Sequence, residues 1–336
     1  MRAVLQDLLV CPCCHGRLRC RVSNTTADGE VVTGYLDCTQ CSQSYPVDRG
    51  IPRFVPPENY AASFGYQWNR FRREQIDAYN GTRLSERRWR NETAWDAEWL
   101  KRKWLLDAGC GAGRFLEVAS RSGDCDVVGV DISNAVDAAR DMLTGRANVH
   151  LVQASIFQFP FRSGTFDGVY SIGVVQHTPD PPRAIEGLGG MVRPGGRLAL
   201  TMYERRRFSK LYSKYWFRPI TRRMRPDWLM KIITAAMPMA FAMTEVLFRL
   251  PFVGRLFQFV IPIANYVNVR ELSMRQRYRW AILDTFDMLA PAYDAPQREA
   301  DVIDILVKSG IGEIRRRSNP GLNLVGTKTV GEAARI

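Results

Sequence analysis

From residue 104 onward, short apolar runs alternate with amphipathic stretches, and the hydrophobic period switches between the strand and helix values. The pattern predicts strands over 104–108, 126–130, 148–152, 166–171 and 196–202. Helices are predicted between them over 113–121, 134–142 and 181–191. Such alternation argues for an α/β fold with a mostly parallel, doubly wound sheet. Arg193-Pro194-Gly195-Gly196 is a turn signal ahead of the fifth strand. Helical spacing returns over 297–309, followed by strand-like 312–317 and 321–327. This last pair is expected to close the sheet with an antiparallel strand at its edge. Residues 204–296 interrupt the alternation with an insertion far longer than an ordinary connection.

The chain therefore divides into four parts. Residues 1–57 form a cysteine-rich head that ends at Pro56-Pro57. Residues 58–103 carry Tyr66, Trp68, Phe71, Trp89, Trp95 and Trp99 at loosely helical spacing. They are expected to lead into the sheet and to lid the site, with most of the aromatics packing as core. The sheet occupies 104–203 and 297–330, and the insertion occupies 204–296.

The first strand runs into Asp107-Ala108-Gly109-Cys110-Gly111-Ala112-Gly113, and Asp131 closes the next apolar run. A glycine turn between strand and helix, followed about 20 residues later by an acid, is how such sheets hold a ribose-bearing cofactor. The dinucleotide fingerprint requires a glycine at the sixth place, but counting from Gly109 that place is Arg114. Asp followed by Gly-x-Gly-x-Gly instead fits S-adenosylmethionine. Gly109, Gly111 and Gly113 let the backbone approach the ligand, and the first amides of the next helix can receive its carboxylate. Asp107 is placed to meet the ammonium, directly or through water, and Asp131 to hold both ribose hydroxyls, with Ile132 beside it.

The segments LLDAGCGAGRF, VVGVDIS, QFPFRSGTFDGVYSIGVVQHTPD and VRPGGRLAL together resemble class I S-adenosylmethionine-dependent methyltransferases of the ubiquinone/menaquinone C-methylase-like kind. The resemblance spans 105–203 and implies their Rossmann-like fold and cofactor. It puts the adenine contacts at Ser155 and Ile156, where the family's usual acid is replaced by serine. Gly173, at the carboxyl end of the fourth strand, faces the methyl position because ligands sit at that end of a sheet. His177 is suited by its ordinary pKa to take a proton from a hydroxyl; ordering of its own loop is the bland alternative. Asp167 reads as a structural acid. Asp180-Pro181-Pro182 lies too far past the strand to be the Asp-Pro-Pro-Tyr motif of amino-group methyltransferases.

In the head, Cys11-x-x-Cys14 and Cys38-x-x-Cys41 have the spacing of two zinc knuckles sharing one structural Zn²⁺. Cys13 is a neighbour that confuses the ligand set, and Cys20, Cys110 and Cys125 read as ordinary thiols. Together with Ser44-Tyr45-Pro46-Val47-Asp48-Arg49-Gly50-Ile51-Pro52, these residues resemble the zinc-ribbon family that includes the activator subunit of tRNA and protein methyltransferases. That resemblance covers 1 to about 55 and implies a scaffold without chemistry of its own.

The formal net charge of +13 points to a polyanion or an anionic membrane as partner. Residues 205–225 hold nine Lys/Arg and no acid, interleaved with aromatics. The apolar, sparsely charged 228–267 that follows favours an interfacial or substrate-capping element over an RNA surface, the bland alternative being a helical cap that buries these side chains against itself or a second subunit. The uncharged runs Ile232–Thr244 and Leu256–Val269 fall short of a membrane span. No leader is read at the N-terminus, and a cytoplasmic location is expected, with peripheral attachment to the inner membrane face left open. The segment Leu283–Asp294 resembles a stretch that returns to the active site in bacterial methyltransferases tied to surface-glycan or lipid biosynthesis. Asp284, Asp287 and Tyr293 are therefore candidate acceptor contacts. Methyl transfer to a small-molecule, glycan or lipid-linked hydroxyl is the first expectation. An RNA methyltransferase that binds through head and insertion is the second, and a non-catalytic scaffold the third. Oligomeric state is not legible.

Overall fold

The computed structural model describes residues 1–56, 59–317 and 321–330; Pro57 of the expected boundary lies outside them. Among the described residues the strands form two sheets. In the head, β1 (Leu18–Thr25), β2 (Val31–Cys38), β3 (Ser44–Asp48) and β4 (Ile51–Pro52) pair antiparallel in sequence order. The second sheet contains β5 (Lys103–Ala108), β6 (Cys125–Asp131), β7 (Val149–Gln153), β8 (Phe166–Ile172), β9 (Val192–Met202), β10 (Ile311–Arg316) and β11 (Leu322–Lys328). Its order is β10-β11-β9-β8-β5-β6-β7, which is Rossmann-like with the strand sequence reversing at β5. From β9 to β7 every pairing is parallel, and β8 is buried along its whole length. Continuous burial suits strands covered by helices on both faces.

The last pair closes the sheet as expected, and the final strand is antiparallel to β9. It lies between β9 and β10, and β10 takes the edge. Side-chain burial explains this. Leu322, Asn323 and Leu324 at the start of β11 are buried, whereas Glu313, Arg315 and Arg316 in β10 are exposed, as charged residues on an edge strand should be. β9 also begins earlier than expected, at Val192. The Arg193–Gly196 turn loops out within it, with Gly195 at φ +75°.

The head shares a core with the sheet: Leu5, Leu9, Leu36 and Val47 belong to the same buried cluster as Leu106, Val128 and Val152. Phe54 N–H donates to the Gln153 carbonyl at 2.8 Å, and Arg53 pairs with Asp137 at 2.8 Å. The chain leaving β4 thus covers β7, the other edge of the large sheet.

The insertion folds as helices Lys214–Thr221, Pro226–Leu247 and Gly254–Val260, followed by Met274–Leu289. The last begins at a capping box in which Ser273 and Gln276 satisfy each other's backbone amides. It packs Ala281, Ile282 and Phe286 against Leu229, Ile233, Met237 and Phe241, with Tyr66 and Trp68 of helix Ala62–Arg70 alongside. The apolar element here exceeds the run read from sequence. Helix Pro226–Leu247 continues through Lys231 and Glu245 to 22 residues, long and apolar enough to cross a membrane by length and composition. The second run is helical only over Gly254–Val260.

Candidate functional site

The turn after β5 is held by its own backbone. Gly109 N–H donates to the Val130 carbonyl at 2.7 Å, and Gly111 N–H to Asp131 Oδ2 at 2.9 Å. Gly109, Gly111 and Gly113 have φ of +88°, +52° and +86°, where a side chain is strained. A Cβ at Gly109 would stand 2.4 Å from Val174 Cγ1, and one at Gly113 would stand 2.7 Å from Leu143 Cδ1. Asp131 Oδ1 accepts from Ser133 N at 2.8 Å and Ser133 Oγ at 2.7 Å, so its carboxylate is fixed in orientation although burial raises its pKa.

Above this loop lies a cavity of about 870 Å³ that runs from the carboxyl ends of β5, β6 and β8 to the helical cap. Gly109, Gly111, Asp131, Ile132, Ile156, Gly173, His177, Asp284 and Asp287 all line it. Four sequence-selected residues do not. Asp107 is buried below the loop, where burial drives its pKa up strongly and Oδ2 has no hydrogen-bond partner. Gly113 packs on the helix behind, Ser155 Oγ accepts from Phe157 N at 3.2 Å, and Tyr293 stands behind the wall, its carbonyl on His177 and its ring against Tyr60 at 5.6 Å.

His177 Nδ1 lies 3.0 Å from the Tyr293 carbonyl oxygen. A carbonyl only accepts, so Nδ1 carries the proton and Nε2 presents its lone pair. Nε2 has no partner, and burial pulls the pKa down to about 4, which keeps the ring neutral at pH 7. Phe64 and Tyr203 pack on the imidazole at ring distances of 5.2 and 5.5 Å. Both amide atoms of neighbouring Gln176 are likewise buried without a partner on the cavity wall.

Opposite, helix Met274–Leu289 brings in two carboxyls. Asp284 accepts from Tyr266 and, at 3.2 Å, from Gln75; Asp287 accepts from Gln67 at 3.3 Å. Burial raises each to a pKa of about 6. Arg114, the residue that breaks the dinucleotide fingerprint, reaches the same space and donates to Gln75 at 2.7 Å and Ser85 at 2.9 Å. Burial lowers its pKa to about 10. Gln176, Arg88, Arg114, Tyr203 and Tyr266 were not foreseen as site residues. Gln176, beside His177 after β8, and Arg114, next to the glycine turn, stood where a sequence pattern pointed.

Asp167 accepts from Trp104 N at 2.8 Å and pairs with Arg193 at 2.5 Å, and Asp180 caps helix Pro181–Met191 by accepting from Arg183 N at 3.2 Å. Of the basic run, Lys214 is tied to Asp294 at 2.7 Å, and Arg218 donates to the Met288 and Pro291 carbonyls at 3.0 and 2.9 Å. These cations build the cap and are not free for a polyanion.

In the head, the sulfurs of Cys11, Cys14, Cys38 and Cys41 lie within 4.8 Å of one another, while Cys13 is exposed. Contacts of 3.5–3.7 Å between them match the separation of about 3.8 Å that tetrahedral Zn–S bonds of about 2.3 Å impose. The donor set fits a structural Zn²⁺. The glycine cradle, the oriented Asp131 and the open wall between them fit S-adenosylmethionine in the same way.

Residues 106–200 match the methyltransferase-domain family, and residues 5–50 match the Trm112p-like family. Over 121 residues the chain is 34% identical to a tRNA U34 carboxymethyltransferase of Psychromonas ingrahamii, a match covering 33% of this chain and 37% of that one. Over 100 residues it is 29% identical to an O-methyltransferase of Pyrenophora dematioidea, covering 29% and 38%. With the ubiquinone biosynthesis O-methyltransferase of Coxiella burnetii the figures are 30% over 116 residues, 34% and 49%. The chain thus spans less than half the length of each of these relatives. Among solved structures, a complex of the Haloferax volcanii Trm112 methyltransferase activator with its partner aligns at TM-score 0.45 and 12% identity, covering 82% of this chain and 99% of that one.

Proposed function

We propose that this chain, a methyltransferase domain fused to a Trm112p-like zinc ribbon, is an S-adenosylmethionine-dependent methyltransferase whose acceptor is a hydroxyl on a small-molecule, glycan or lipid-linked compound. The observation that carries the acceptor reading is the neutral, unpartnered Nε2 of His177 on the cavity wall. Bound S-adenosylmethionine supplies an electrophilic methyl group on a sulfonium centre. Asp131 holds the ribose hydroxyls, the glycine turn lets the backbone approach, and Gly173 leaves room at the strand end. His177 Nε2 accepts the hydroxyl proton as the oxygen forms its bond to the methyl carbon. The imidazolium, which burial disfavours, then releases the proton to solvent, and the products are a methyl ether and S-adenosylhomocysteine. Gln176 orients the acceptor, and Asp284 and Asp287 bind its further hydroxyls. Catalysis is then placement in line with the methyl group plus general-base assistance worth about 10²–10⁴-fold.

A second reading is transfer to RNA, favoured by the tRNA-modifying relative and by the zinc ribbon. One experiment separates the two. The protein is incubated with methyl-labelled S-adenosylmethionine and a cell extract split into lipid and glycan, small-metabolite, and RNA fractions. Label in either of the first two as an alkali-stable ether supports the proposal. Label in RNA alone overturns it in favour of the second reading.

A further inference from the structure

Among the described residues, 16 of the 24 exposed large hydrophobic side chains fall within 208–260. On helix Pro226–Leu247 they form a stripe, Trp228, Ile232, Met239, Met243 and Val246, at the spacing of one helical face. The opposite face, with Leu229, Ile233, Met237 and Phe241, is already buried against the cap. The helix is therefore apolar on both sides with only one side covered. Phe252, in the turn that follows, is fully exposed. Tyr212 stacks on Phe259 at 4.3 Å, which joins the segment before helix Lys214–Thr221 to helix Gly254–Val260. Two further exposed aromatics, Trp216 and Phe217, project from Lys214–Thr221 itself.

The charge of the segment that carries this face is one-sided. Residues 205–260 carry twelve Lys/Arg against two acids, Asp227 and Glu245, a net of +10 out of +13 for the whole chain. Lys214 and Arg218 are used inside the cap, and Arg225 and Arg249 pair with those two acids. Arg205, Arg207, Arg222, Arg223, Lys231 and Arg255 are exposed and have no ion-pair partner among the described residues. A second copy docking face to face would bring like charges together. RNA would match the cations but leave the methionine and valine stripe in water. An anionic bilayer surface satisfies both, taking aromatic and aliphatic side chains at the acyl boundary and the cations at the headgroups.

We propose that the outer face of the helical insertion is a docking surface for anionic lipid membranes, with Met239, Val246 and Phe252 entering the interface and the free arginines engaging headgroups. The inference does not depend on the identity of the acceptor. The full chain is mixed with vesicles of phosphatidylcholine alone, or of phosphatidylcholine and phosphatidylglycerol in equal parts, and sedimented; a Met239→Glu/Phe252→Glu double variant runs in parallel. S-adenosylmethionine binding of both proteins is titrated as a control that they are folded and that the cavity is intact. The expected result is binding to the anionic vesicles only, weakened by salt, lost in the double variant, and lowered about fivefold by each of Arg222→Ala and Arg223→Ala. Failure to sediment with anionic vesicles, or binding that the double variant retains, overturns the proposal. So does a stable dimer that the double variant dissociates, which would assign the face to a second copy. Membrane-bound protein that alkaline carbonate cannot strip would assign helix Pro226–Leu247 to a span and also overturn surface docking.

Discussion

Gly109→Ala separates the two reasons for glycine in the cofactor turn, backbone conformation and close approach. At φ +88° an alanine is in the left-handed region, which costs about 1–2 kcal/mol. Its Cβ would also meet Val174 Cγ1 at 2.4 Å and Cγ2 at 2.5 Å, inside any real contact distance. Val174 lines the cavity, so relief requires a shift of the site wall, a misfit of about 1–3 kcal/mol more. Gly145 is the matched control, with φ +84° and nothing within 4 Å of its built Cβ. Gly145→Ala should therefore lose only the conformational part, and Gly109→Ala about 2–5 kcal/mol in all. The assay is thermal unfolding of both variants, with titration of S-adenosylmethionine. The expected outcome is a larger drop in Tm for Gly109→Ala together with weakened binding, and unchanged binding for Gly145→Ala. Equal Tm shifts with equal, unimpaired binding would refute the reasoning.

Three further predictions follow from the same geometry. His177→Asn should lower the single-turnover rate of methyl transfer by about 10²–10⁴-fold while leaving S-adenosylmethionine affinity unchanged, because the proposed role of the ring is as base toward the acceptor and not as a ribose contact. Asp287 has a folded pKa of about 6, above the ordinary 3.8, so the folded state holds the extra proton in that window and stability falls as pH rises through it. Asp287→Asn should then raise Tm near pH 8 relative to its effect near pH 4, and a thermal-melt series across pH checks the sign. Chelation, or Cys38→Ser, should release bound zinc and lower the Tm of the methyltransferase sheet as well as the head, since the two share a core; an unchanged sheet transition in calorimetry would contradict that coupling.

The strand and helix alternation was legible because buried parallel strands and amphipathic helices leave strong periodic signals, and Pro181–Met191 matches its expected bounds. The order of the last two strands was not, because which of two short strands takes an edge depends on pairing partners distant in sequence. The cofactor turn was readable from local backbone demands that only glycine meets. The cap end of the cavity was mostly hidden: Arg88, Tyr203 and Tyr266 converge from three separate segments, and no spacing rule connects them. The basic run at 205–225 looked uniform in sequence, yet the fold divides it between buried cap struts such as Arg218 and free surface arginines such as Arg222 and Arg223. Burial, which depends on tertiary packing, made that division.

The central claim is a bound S-adenosylmethionine whose ribose rests on Asp131. Calorimetric titration of the ligand into the wild-type chain and into Asp131→Ala tests it most directly. Two hydrogen bonds to a carboxylate, each worth about 1.5–3 kcal/mol, set the expected loss at about 100-fold or more. Saturable one-to-one binding to the wild type that weakens by this factor is the predicted result; no binding to the wild type, or undiminished binding to Asp131→Ala, would contradict the account.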